Sequence, residues 1–285
     1  MGPKWTAAAM ILMISVALAG CTAGADVVRA FQVVTRAFQT TEVVEESHRV
    51  QPGSSIEIRN LNGDIVVKSG GDREVHVRAT KRAFGSQDEI DRTEVVVTTG
   101  AITTIETEPR GERSRVAVDY EVTIPPGVAL KHVQTSNGLI RVEDVAGDVV
   151  ATTSNGSIHL EGIDGYVRAT TSNGSIHIVN CTGIRSSVQT SNGSIHVEVA
   201  DIEGSLEIRT GNGSITAYLS HWLEAEVEMT VSNGRIVTDH NGLILGQSSQ
   251  RHVRGHIGDQ ARHKILIRTS NGTVTVRDIQ DETGS

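Results

Sequence analysis

The feature that most constrains this chain is a repeat. The motif Thr-Ser-Asn-Gly-Ser, or a near variant, recurs with its asparagine at Asn137, Asn155, Asn173, Asn192, Asn212, Asn233 and Asn271. Successive spacings from Asn137 are 18, 18, 19, 20 and 21 residues, and the last is 38, room for two units or for one with an insertion. Two further Asn-Gly pairs start at Asn62 and Asn241. A fixed period of this length marks a fold built from short units that bury their apolar faces only by stacking on one another.

The residues around each asparagine say what the unit is. Two, four and six positions earlier stand Thr153, Ala151 and Val149, then Thr171, Ala169 and Val167, and at the end Thr269, Ile267 and Ile265. Three and five positions later stand Ile158 and Leu160, Ile176 and Ile178, Ile195 and Val197. Alternation with period two on both sides of a tight turn predicts strand, turn, strand. The turn chemistry agrees, because asparagine tolerates the left-handed region and glycine has no side chain to forbid it. A second glycine (Gly147, Gly165, Gly183, Gly204) closes each unit.

Asn-Gly is also the strongest hairpin signal, so an antiparallel meander is the alternative. A meander has no need for near-identical side chains in every copy. A parallel stack does, because each residue lies about 4.8 Å from its equivalent in the next coil. The expected fold is therefore all-β, a parallel β-solenoid of 18–21-residue coils. Aromatic residues are only 3%, so its core must come from Val, Ile, Leu and Ala. The pattern reaches back to Ile56, Ile58, Ile65 and Val67 around Asn62, and the less regular stretch 41–128 reads as the N-terminal β region or cap of a solenoid over 129–280. Segment 219–262, which holds Trp222, reads as an excursion or loop.

The N-terminus reads as an address. Lys4 precedes an apolar run from Ala7 to Leu18, of signal-peptide length and short for a membrane span. Leu18-Ala19-Gly20-Cys21 resembles the bacterial lipobox, which implies a signal peptide over 1–20 and lipid (palmitate among its acyl chains) on Cys21. Thr22 lacks the aspartate of inner-membrane retention, so the resemblance favours the outer membrane or cell surface over a periplasm-facing position. Residues 21–40 read as a tether or short helix. The other cysteine, Cys181, is equivalent to Val145 and Ile163 and is expected to be a buried small hydrophobe.

Taken together, I-E-I-R-N-L-N-G-D-I-V-V from Ile56, V-D-Y-E-V-T-I-P-P-G from Val118, the T-S-N-G-S-I copies and the closing I-L-I-R-T-S-N-G-T-V-T-V resemble the bacterial "putative adhesin" β-strand-repeat domains over residues 41–280. That family has no established function. The resemblance implies a right-handed, β-helix-like fold on exported or membrane-tethered proteins, and it carries over no catalytic residues.

Several side-chain columns could carry chemistry. His159, His177 and His196 each fall four residues after the repeat asparagine and should point outward in adjacent coils. Neutral imidazoles can ligate zinc or copper. No carboxylate stands at a fixed offset to support them, so they are read as a solvent-facing ladder, with no metal assigned. His252, His256 and His263 match no ligand spacing. Glu143, Glu161 and Glu198 form an outward column, Asp144, Asp148 and Asp164 lie near the second turn, and Ser157, Ser175, Ser194 and Ser214 form another column. None gathers an acid, a base and a nucleophile in one place, and the turns lack the aspartates of calcium-binding coils.

The net charge of −8 argues against nucleic acid, and two cysteines exclude a disulfide scaffold. The reading is a lipid-anchored envelope protein with a non-enzymatic structural or adhesin-like role and no cofactor. Its expected partners are the membrane, through Cys21, and a glycan, cell-wall polymer or envelope protein. The alternatives are an envelope-stress or regulatory module binding a membrane partner, and a carbohydrate-active enzyme on a β-helix.

Overall fold

The computed structural model describes residues 28–36, 39–51, 53–71, 73–83, 87–111 and 115–279, with side-chain surroundings from Thr40 onward. The signal segment and Cys21 lie outside the described residues. Among the described residues the chain is all-β apart from one short helix, Gln87–Asp91. Its strands join in a single, mostly parallel sheet that curls nearly closed.

The repeat folds as strand, turn, strand, and each copy lies on the next in parallel register. Ala151 pairs with Ala169, Thr153 with Thr171 and Asn155 with Asn173 before the turn. After the turn, Ile158 pairs with Ile176 and His159 with His177. The sheet therefore has two walls. One is built from strands that precede the asparagine, such as Val149–Asn155 and Tyr166–Asn173. The other is built from strands that follow it, such as Ile158–Glu161 and Ile176–Val179. The alternating apolar residues fill the space between the walls: Ile158, Leu160, Val167 and Ala169 are fully buried.

Asn-Gly does not make a hairpin here. The repeat asparagines are not among the residues with positive φ, while their glycines are, from +148° at Gly234 to +159° at Gly156 and Gly174. A Cβ on Gly174 would also collide with the carbonyl oxygen of Gly156 in the coil below. Glycine alone supplies the unusual backbone, and the extended asparagine is left to present its side chain.

Both ends depart from parallel stacking. At the N-terminal end, Val28–Arg36 and Gln39–Arg49 form an antiparallel hairpin, which then pairs with Glu74–Ala83. Strand, not helix, therefore occupies most of the stretch read as a tether or short helix. Its β-branched content (Val28, Val33, Val34, Thr35) favours the pleat. On the other wall, Thr93–Thr98 closes the end antiparallel to Ile102–Pro109.

The segment expected to be an excursion is mostly structured. Ala225–Asp239 is a complete coil, and Leu243–Ser248 and His252–Ile257 form an antiparallel hairpin beside its first half. The order of coils is not the order of the chain. Asn212 pairs with Asn271, and Asn271 pairs with Asn233. The chain thus skips one level, builds the outer coil and its cap, and returns to fill the gap with His263–Asp278.

Candidate functional site

The most regular surface of the molecule is the turn edge and the outward side of the second wall. Its foundation is a continuous side-chain ladder. Each asparagine donates its Nδ2 to the Oδ1 of its neighbour: Asn137 to Asn62 at 2.6 Å, Asn155 to Asn137 and Asn173 to Asn155 at 2.8 Å, and Asn192 to Asn173 at 2.9 Å. The run continues from Asn212 to Asn192 at 2.8 Å, Asn271 to Asn212 at 2.7 Å and Asn233 to Asn271 at 2.9 Å. All seven asparagines singled out from the sequence belong to it.

Threonine two positions earlier seals the inner side of the turn. The hydroxyls of Thr171, Thr190 and Thr269 donate to the carbonyl oxygens of Gly156, Gly174 and Gly213, each at 2.9 Å. The column of serines after the glycine accepts backbone N–H groups from the next coil, Ser175 N–H to Ser157 Oγ at 3.2 Å and Ser194 N–H to Ser175 Oγ at 3.3 Å. These serines bridge one coil to the next through the backbone.

Next to this edge stands the histidine column. The rings of His159 and His177 stack at 4.7 Å between centroids, those of His177 and His196 at 4.5 Å, and Tyr218 extends the row at 5.1 Å, tilted by 46°. Partial burial, followed by the neighbouring His177, holds the imidazoles of His159 and His196 below the usual histidine range. Repulsion between adjacent imidazolium charges explains the second effect. Stacked rings present their nitrogens side by side and do not aim them at one point. Among the described residues, no group of three His, Cys, Asp or Glu side chains converges as a metal site would require.

Four of the six acids singled out from the sequence engage neighbours. Glu143 takes Lys68 at 2.9 Å and Arg141 at 3.2 Å, and these hydrogen bonds hold its carboxyl below the usual range. Glu198 accepts the backbone N–H of Asn180 at 3.0 Å. Asp148 accepts the N–H of Tyr166 at 2.9 Å and pairs with Arg185 at 2.8 Å. Asp164 accepts the Thr182 hydroxyl at 3.4 Å. Cys181 is buried as expected, and burial pushes its thiol up to about 11. A thiol in that state is a poor nucleophile.

A second polar group, at the N-terminal end, was not legible as a site. Glu42, Glu46 and His48 sit on the inward side of Gln39–Arg49, and Lys81 on the inward side of Glu74–Ala83. The signal was available in the alternation Glu42-x-Val44-x-Glu46-x-His48, where a period-two face mixes acids with an apolar residue.

Two walls of like residues stacked in parallel, joined by an unbroken asparagine ladder, define a stacked β-repeat protein. The chain belongs to the Toastrack DUF4097 family, whose model matches residues 53–277. It is similar in fold to a "putative adhesin" of Bacteroides fragilis, at 13% identity over 83% of this chain and 97% of that one, with a TM-score of 0.41. A "putative cell adhesion protein" of Clostridium sporogenes matches at 11% identity over 82% and 99% of the two chains, with a TM-score of 0.33. A "putative lipid binding protein" of Parabacteroides distasonis matches at 13% identity over 86% and 98%, with a TM-score of 0.31. No curated protein matches the chain.

Proposed function

We propose that this chain is a lipid-anchored envelope protein whose stacked polar face makes non-enzymatic adhesive or structural contacts. The face belongs to a right-handed solenoid of 18–21-residue coils, tethered to the membrane through acyl chains on Cys21. One observation carries the reading: the outward side repeats like groups from level to level. Amides, hydroxyls and imidazoles recur along the stack axis, from Asn62 to Asn233 for the amides and from His159 to His196 for the imidazoles. A repeated face meets a repeated partner, and many weak contacts then act together. A glycan or cell-wall polymer is such a partner, and an envelope protein with its own repeat is another. On this face Glu143 and Glu198 engage neighbouring side chains and backbone, which suits a binding surface better than a reaction centre.

Two experiments test this. Protease shaving of intact cells, read with an antibody to the C-terminal end, is expected to remove the signal, placing the body outside the cell. Protection until the outer envelope is opened would move the role to the periplasm. Sedimentation of the protein with isolated cell-wall polymer should weaken at least tenfold when His159, His177 and His196 are all replaced by Ser. Unchanged sedimentation of a folded triple variant would remove this face from the contact.

A further inference from the structure

The N-terminal end of the stack holds a cavity of about 600 Å³, inside the range of about 300–1,000 Å³ usual for small-molecule pockets. It opens where the two walls part, between Gln39–Arg49 on one and Thr93–Thr98 on the other. Val44, Val95 and Val97 give it an apolar side. Most of the rest is ionisable, and part of it is buried. Glu46, His48 and Lys81 are 4%, 7% and 7% exposed, and among the described residues His240 is the only other buried acidic, basic or imidazole side chain. Three of four such groups therefore line one space.

Ion pairs organise them. Lys81 Nζ lies 2.9 Å from Glu42 Oε1, and His48 Nε2 lies 2.9 Å from Glu46 Oε2. Elsewhere the interior positions of the stack are mostly Ile, Val, Leu, Ala and Thr, with single exceptions such as Tyr120, Met229 and Cys181. Buried ion pairs stabilise no better than apolar residues of the same size, so stability alone does not account for this set.

We propose that this cavity binds a small organic cation, a primary ammonium or guanidinium on a short aliphatic stem. The sign follows from the lining. Four carboxylates, Glu42, Glu46, Asp91 and Glu94, face the space, against Lys81 and the His48 imidazole within it and Arg110, which pairs with Glu94. The size and the valines call for a stem as well as a charge. A bare metal ion is the wrong occupant, because no three ligating groups converge among the described residues and the volume far exceeds an ion. An anion would meet the excess of carboxylates.

Isothermal titration calorimetry of the full chain with n-pentylamine and butylguanidine, against 1-pentanol and pentanoate, tests the proposal. The two cations should bind saturably with one site, and the neutral and anionic analogues at least tenfold more weakly. Glu46→Gln should weaken the cations at least tenfold. Val97→Phe, which fills the apolar side, should abolish binding. If Glu46→Gln does not fold, Val97→Phe decides alone. No saturable heat from either cation would overturn the proposal. So would equal binding of pentanol, which reports only an apolar void, or binding that survives Val97→Phe, which reports cations condensed on the acidic surface.

Discussion

The middle coils and the N-terminal end use the same inward positions for opposite chemistry. Between Asn137 and Asn212 the space between the walls is aliphatic, and apart from Ser187 its buried polar members are threonines such as Thr171 and Thr190, whose hydroxyls are bonded to glycine carbonyls. At the N-terminal end the corresponding space holds Glu42, Glu46, His48 and Lys81 around a cavity. A parallel stack explains the first region. Each residue contacts its own kind above and below, so one side chain that fits can be copied through every level. The end of a stack has one neighbour, not two. Its strands turn antiparallel, the copying rule lapses, and inward residues are free to serve something other than packing.

The largest expected effect lies in the middle. Ile176→Asp places an unpaired carboxylate between the walls and should cost about 4 kcal/mol or prevent folding. The contrasting double variant Glu46→Leu/His48→Leu at the N-terminal end should be neutral or stabilising by about 1–2 kcal/mol, since it replaces a buried pair by apolar groups. Urea unfolding measures both. A large loss in the double variant would erase the contrast. Gly174→Ala should cost about 3 kcal/mol, because its φ of +159° and the carbonyl of Gly156 both exclude a Cβ. Asn173→Ala breaks two rungs of the ladder, one to Asn155 and one from Asn192, and should cost about 1–2 kcal/mol.

The smallest effect sharpens the picture of the imidazole stack. His177→Ser should change stability at pH 7.5 by less than about 0.5 kcal/mol, because the ring is outward and half-buried. Its signature is in the pH dependence. His159 and His196 have folded values held below the unfolded one, so the unfolded chain binds more protons as the pH falls. Stability is therefore lost as the pH drops through about 6.5 and below. Removing His177 removes part of the cause and should flatten that loss. A thermal-melt series from pH 7.5 to 5.5 on both proteins reads it. Parallel curves would mean the imidazoles do not sense one another.

The repeat made the middle of the fold legible. The spacing of Asn155, Asn173 and Asn192 and the alternation on either side gave the register that the strands adopt. The inward place of Cys181 followed from its equivalents. The turn chemistry was only half legible. Local propensity assigned the left-handed backbone to asparagine and glycine together, whereas the asparagine side chain is taken by a neighbour 18 or more residues away. The coil at Asn233 could not be placed from spacing, because a 38-residue interval says how much chain intervenes and not which level it occupies. Segment 28–36 was misread because a short apolar pattern serves a helix or a strand equally well until a partner such as 39–49 is known.

The order of levels at the C-terminal end is the most exposed consequence of residue-on-residue stacking, and disulfide mapping tests it directly. Thr275 pairs with Thr216 on one side and Val237 on the other. Neighbouring strands lie about 4.8 Å apart, within reach of a disulfide. Under mild oxidation, the pairs Thr216→Cys/Thr275→Cys and Val237→Cys/Thr275→Cys should each cross-link, as read by peptide mass spectrometry without reduction. The pair Thr216→Cys/Val237→Cys should not. The Val237/Thr275 pair is adjacent in either order and serves as the positive control; efficient cross-linking of Thr216→Cys/Val237→Cys, with failure of Thr216→Cys/Thr275→Cys, would put the coils in chain order and contradict the stack described above.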